Sequence, residues 1–111
     1  MIEVVATPSE TTLVLAGDLD VAERDTFPEA RAQIAGMRRS RLVIDMCNVT
    51  FMDSTGAAFL ISLADAGNGR DSKTVLRGAD ERDLFVLSVC GVLDLFEIQA
   101  ECDVESHAPT P

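Results

Sequence analysis

Tryptophan and tyrosine are absent from this chain of 111 residues, and five phenylalanines supply its large aromatic side chains. That scarcity removes the stacking platforms on which single-stranded nucleic acids and sugars are commonly held. There is a single histidine, His107, near the C-terminal end. A serine nucleophile needs a base, and no G-x-S-x-G turn surrounds Ser54, so the chain reads as a non-enzyme with no catalytic residue. Positive charge is scarce as well: 9 Lys and Arg stand against 19 Asp and Glu, for a formal charge of −10. Nucleic acid and anionic membrane surfaces would be repelled at long range, and a neutral or basic protein is the expected partner. No apolar run reaches the ~18 residues of a membrane span. The start, MIEVVATPSE, lacks the basic and apolar regions of a secretory signal, so a cytoplasmic location is expected. Cys47, Cys90 and Cys102 are odd in number and form neither a CxxC nor a metal-type spacing. They are expected to be reduced thiols in structural or incidental positions, with a redox role for one of them the other reading, and neither a metal nor a cofactor is expected.

What is present is a core. Hydrophobic residues make up 47% of the chain, enough for one modest globular domain. Its organising stretch is 42–66. Leu42, Val43 and Ile44 open a β-branched apolar run that continues through Met46 and Val49, which predicts a strand buried on both faces. Met52-Asp53-Ser54-Thr55-Gly56 then offers three N-cap side chains in succession, and the apolar spacing changes to a helical period. Two hydroxyls thus stand at a helix N-terminus, where unpaired amides and the helix dipole favour negative charge. As residues alone, Asp53, Ser54 and Thr55 read equally as a plain helix cap. Leu60, Leu63 and Gly67, with Phe59 and Ala64 beside them, form the predicted buried face, while Ala58, Ser62 and Asp65 face outward. Ile61 lies at the flank; with Met52, Ala57 and Ala58 it forms either a small apolar patch around Ser54 or simple shoulder packing.

Around that unit the chain alternates. Residues 2–6 and 11–16 predict two strands paired across a turn at Pro8, with Gly17-Asp18-Leu19-Asp20 ending the second. Asp18 and Asp20 would point the same way at one sheet edge if the segment stays extended. A helix follows, starting near Val21 under an Asp20 cap or at Thr26 with Glu29, and burying Phe27, Ala30, Ile34 and Met37. A polar loop over 66–73 leads to a short strand at 74–76. Asp80 caps a third helix that ends at Gly91, with Leu84, Leu87, Val89 and Cys90 apolar and Phe85 and Val86 widening its buried face. Leu95, Phe96 and Ile98 suggest a last strand, and residues 105–111 a flexible tail. The order β-β-α-β-α-β-α-β predicts an α/β domain over residues 1–104 with a mixed four- to five-stranded sheet packed with three to four helices. The Ser54 turn then sits at the carboxyl end of a parallel strand. The open edge of the first strand allows a weak dimer as well as a monomer.

Three segments together resemble the STAS domain of anti-sigma factor antagonists: GDLD at 17–20, VIDMCNVTFMDSTGAAFL at 43–60 and CGVLDLFEI at 90–98. The resemblance spans about residues 2–100. It implies a partner switch, in which the unmodified protein binds an anti-sigma factor that is also a GHKL-type serine kinase and so releases a sigma factor. The kinase then inactivates it by phosphorylating the first Ser after the Asp, and a PP2C-type phosphatase restores it. Carried over by position, Ser54 is the phosphoacceptor, and Asp18, Asp20, Met52, Asp53, Thr55, Gly56, Ala57, Ala58 and Ile61 complete the partner-binding set. Ala57-Ala58 stands where many relatives carry Leu-Gly, and Asp18 replaces a commoner Glu. The loop over 66–73 is also unlike the usual Gly-centred link. The other function the resemblance allows is a constitutive, unphosphorylated binding module, for example a lipid-transport accessory subunit.

Overall fold

The structure, a computed structural model, describes residues 2–6, 10–19, 25–35, 41–66, 73–99 and 102. The expected tail at 105–111, Asp20, the earlier helix start near Val21, Met37 and most of the polar loop fall outside these residues. Five strands, β1 (Ile2–Ala6), β2 (Glu10–Leu19), β3 (Arg41–Met52), β4 (Thr74–Arg77) and β5 (Phe96–Gln99), form one sheet in sequential order. β1 and β2 are antiparallel, and every later pairing is parallel. The crossovers carry α1 (Phe27–Ala35), α2 (Ser54–Ala66) and α3 (Glu81–Val89), and a short 3-10 turn, Leu93–Leu95, leads into β5. This is the predicted α/β order. No helix among the described residues is long and apolar enough to cross a membrane.

One core joins all three helices to one face of the sheet. Leu13, Leu15, Leu42, Ile44, Met46 and Leu76 point into it from the strands. Ile34, Leu60, Leu63 and Leu87 meet them from the helices and are fully buried. The rings of Phe27 and Phe59 stack at 4.2 Å between α1 and α2. α1 begins at Phe27 with Pro28 in its first turn, where a missing amide hydrogen costs nothing, matching the later of the two predicted starts. Residues 42–46 are all buried, as a strand covered on both faces requires.

Two expectations need correction. β2 runs past the expected 11–16 through Gly17 and Asp18 to Leu19, because β3 itself continues to Met52 and pairs with it. Gly17 takes a positive φ of 78°, and the β2–β3 register shifts on either side of it. Met46 and Cys47 together face Leu15, and Thr50 is an extra residue between the Gly17–Val49 and Asp18–Phe51 pairs. The first bulge is closed by the Asp45 side chain, whose Oδ1 accepts the Cys47 amide at 2.9 Å. The second correction concerns α3. Phe85 and Val89 were expected to face the core, yet they are 68% and 70% exposed, and Cys90 is exposed too. A nine-residue helix on the flank of the sheet has room for only a narrow buried stripe, which Leu87 and partly Leu84 supply.

α3 starts as predicted. Asp80 Oδ1 accepts the Asp83 amide at 2.9 Å, and the Asp83 carboxylate reaches back to the Asp80 amide, a reciprocal capping box. At its other end the Gly91 amide donates to Ser88 O and the Val92 amide to Leu87 O, with Gly91 at a positive φ. The bond from the Asp83 amide holds the Asp80 carboxyl below its ordinary value, whereas burial, and then the Asp80 charge, push Asp83 above its own. The two therefore act in opposite directions. The contribution of Asp80 is present above about pH 4 and is lost as pH falls through its lowered value. Asp83 favours the fold most when neutral, and that advantage is lost as pH rises through its raised value. Asp83→Asn, which keeps an accepting oxygen and removes the buried charge, is therefore expected to raise the melting temperature by a few degrees at pH 7. Thermal melts at pH 3, where Asp83 is protonated, should show no such gain.

Candidate functional site

The carboxyl ends of β2 and β3 and the N-terminus of α2 meet at one corner of the sheet. Asp53 is the joint. Its amide donates to Leu19 O at 3.2 Å, tying the turn to the last residue of β2. Its Oδ1 accepts the amides of Thr55 at 2.8 Å and Gly56 at 3.1 Å, and its carbonyl accepts the first helical amide, from Ala57, at 3.0 Å. Asp53 is thus a complete N-cap. The two amides that would otherwise receive an anion are already occupied by its carboxylate.

Ser54, the first residue of α2, is exposed, and its hydroxyl makes no hydrogen bond among the described residues. Thr55 and Asp53 are half-buried beside it. Asp18 lies on β2 opposite Phe51 and is exposed; its Oδ1 accepts the Thr50 hydroxyl at 2.8 Å across the second bulge. Ala58 is exposed one turn along α2, and Ile61 is half-buried further on. Asp20 falls outside the described residues. The corner therefore gathers an exposed hydroxyl, the Asp53 carboxylate and a small exposed alanine, with Asp18 near the end of the neighbouring strand. Among the described residues no group of His, Cys, Asp and Glu is arranged to hold a metal ion.

Three residues of the expected contact set are not surface residues. Met52 is 5% exposed, Ala57 is fully buried and Gly56 is buried. The bulge at Thr50 returns Met52 to the inward phase of β3, and Ala57 follows from the helical turn that carries Phe59 and Leu60 into the core. Gly56 has a tighter reason. A Cβ there would collide with Leu19 O and would sit 2.8 Å from Met52 Cγ and 2.9 Å from Leu19 Cβ. These three position the corner from beneath rather than offering it to a partner.

The structure adds a feature that sequence reasoning placed in the core. A groove of about 580 Å³ runs between the end of β3 and α3, with Phe51 and Met52 on one wall and Phe85 and Val86 on the other. Glu81 and Arg82 stand at its rim. Phe51 is 48% exposed. The signal for it was the pair Leu84-Phe85: adjacent helical residues diverge by about 100°, so with Leu84 turned inward Phe85 must turn away.

The STAS domain family model matches residues 1–104. The chain is 29% identical over 94 residues to an anti-sigma-B factor antagonist of Staphylococcus epidermidis, an alignment covering 82% of this chain and 84% of that one. It is 28% identical over 94 residues to the protein of the same description in Staphylococcus aureus, with the same coverage. In three dimensions it resembles the anti-sigma factor antagonist SpoIIAA in its unphosphorylated form, with a TM-score of 0.70 at 18% identity over 96% of this chain and 92% of that one. With a sequential mixed sheet, an Asp-capped α2 and a family match over nearly its whole length, this chain belongs to the STAS domain family.

Proposed function

We propose that this protein is a cytoplasmic anti-sigma factor antagonist whose activity is set by phosphorylation of Ser54. In its unmodified form it binds an anti-sigma factor of the GHKL serine-kinase type and releases the sigma factor held there. The kinase ends the interaction by phosphorylating Ser54, and a PP2C-type phosphatase reverses it. The observation that carries this reading is the state of Ser54: an exposed hydroxyl with no hydrogen bond among the described residues, beside a cap that Asp53 already completes. The relatives described as anti-sigma-B factor antagonists support the same class of partner.

The mechanism follows from charge and space. A phosphoserine brings about −1.5 to −2 of charge. Because the Thr55 and Gly56 amides are bound to Asp53, the phosphate stays on the outside of the corner, next to the Asp53 carboxylate. The fold need not change, while the docking face becomes bulkier and more negative. Intact-mass spectrometry after incubation with ATP and GHKL-type kinases from the same genome tests this directly. One phosphate is expected on the natural protein and none on Ser54→Ala. If no such kinase adds a phosphate, the protein is a constitutive binding module.

A further inference from the structure

Cys47 and Cys102 are joined by a disulfide, with Cα atoms 5.9 Å apart, which corrects the expectation of reduced thiols. Cys90 remains free. Fifty-five positions separate the bonded pair, so spacing alone carried no sign of it; the sheet order brings them together. β4 pairs with β3 only as far as Arg77 and Asp45, and Cys47 lies just beyond that point, where the edge of β3 is no longer covered by β4. There the Gly78 amide donates to Gln99 O at 2.8 Å, and Cys102 closes onto Cys47. Gly78, at φ 74°, lies directly against the bond, since a Cβ there would sit 2.7 Å from Cys102 Sγ, 3.3 Å from Cys47 Cα and closer still to Cys47 Sγ.

We propose that Cys47–Cys102 is a reversible redox latch that holds both walls of the groove between the end of β3 and α3. One wall is the outer part of β3, which runs from Cys47 to Phe51 and Met52. The other is α3, entered from Gly78 through Ala79 and the Asp80 cap. The bond grips both at their origin. It also fastens β5, where only Phe96 is buried and Glu97, Ile98 and Gln99 are exposed. Cys102 is exposed and Cys47 half-buried, so a dithiol reductant is received at Cys102. Its thiolate attacks Cys102 Sγ, and the Cys47 sulfur leaves as a thiolate and takes up a proton. The reductant's second thiol then resolves the mixed disulfide, leaving Cys102 as a thiol and the reductant as its own disulfide. Two electrons and two protons pass to the protein. The bearing of the latch on partner affinity rests on the partner-switch reading given above.

The test uses the full chain carrying Cys90→Ser, which prevents exchange with the third thiol, and compares it with and without dithiothreitol. Amide hydrogen exchange at Gly78, in β5, at Phe51 and over 85–89 is expected to quicken roughly tenfold on reduction, while β1 and β2 stay unchanged. Cys102→Ser should match the reduced protein and ignore the reductant. Binding to the anti-sigma factor should fall at least about threefold on reduction, since a preorganised face binds more tightly. Exchange that does not change on reduction, or two thiols already free in the air-oxidised protein, overturns the latch even if the partner binds. Unaltered affinity alongside faster exchange overturns its regulatory role. A full exchange response with no partner binding in either redox state upholds the latch and defeats the partner-switch reading instead.

Discussion

Ser54→Asp is expected to weaken anti-sigma factor binding about a hundredfold, close to 2.7 kcal/mol, while Ser54→Ala stays within about threefold of the natural protein. The size follows from where the new charge must go. The α2 amides are already satisfied by Asp53 Oδ1, so the added carboxylate gains no bond at the helix N-terminus. It stands instead beside Asp53, on a protein with a formal charge of −10. Alanine removes a hydroxyl with no hydrogen bond among the described residues and leaves shape and charge nearly intact. Titration calorimetry at two salt concentrations separates charge from shape. The Ser54→Asp defect should shrink as salt rises, since exposed charges are screened over about 8 Å at physiological ionic strength. Equal binding by the two variants would remove Ser54 from the switch.

Gly56→Ala should lower the melting temperature by roughly 10 °C, although it places a better helix former in a helix. Helix propensity favours alanine by about 1 kcal/mol. Against that, the added methyl would meet Leu19 O together with Met52 Cγ at 2.8 Å and Leu19 Cβ at 2.9 Å. Met52 could yield alone, but Leu19 O is backbone and accepts the Asp53 amide. Overpacking of a tight site costs about 1–3 kcal/mol and more where backbone must shift, so the clash outweighs the propensity. Each kcal/mol moves the melting temperature of a domain this size by about 4–8 °C. Calorimetric melting checks it; an unchanged or raised temperature would show that α2 and β2 can part without cost. Because the displaced atoms hold Asp53, the same variant should also weaken the partner more than Ala58→Gly does.

Much of this fold was written in local patterns. The apolar run at 42–46, the Asp53 and Asp80 caps and Gly91 after α3 are decided by residues within one turn or strand, so they could be read directly. What escaped depends on neighbours remote in the chain. The extension of β2 past Gly17 exists because β3 continues alongside it, and the Cys47–Cys102 bond exists because β4 is too short to cover β3. The outward turn of Phe85 and Val89 reflects how little sheet remains for α3 to cover; within α3 the Leu84-Phe85 pair shows only that the two cannot both face inward, and the extent of the sheet decides the rest. The candidate site divides in the same way. Ser54, Asp53 and Asp18 were visible as motif residues, whereas the burial of Met52 and Ala57 came from the bulges and the packing of α2.

The bond from the Asp53 amide to Leu19 O makes the corner a late arrival in folding. A helix of thirteen residues starting at Ser54 is marginal on its own, and its cap is anchored to a strand that lies on the far side of α1 in the chain. The two can meet only after the β2–β3 pairing has closed from Glu10 and Arg41 through both bulges to Leu19 and Met52. Nascent or partly unfolded chains therefore carry the D-S-T-G sequence without the capped turn that presents its serine. A modifying enzyme that reads the turn would ignore such chains, so modification at this position would count finished molecules only.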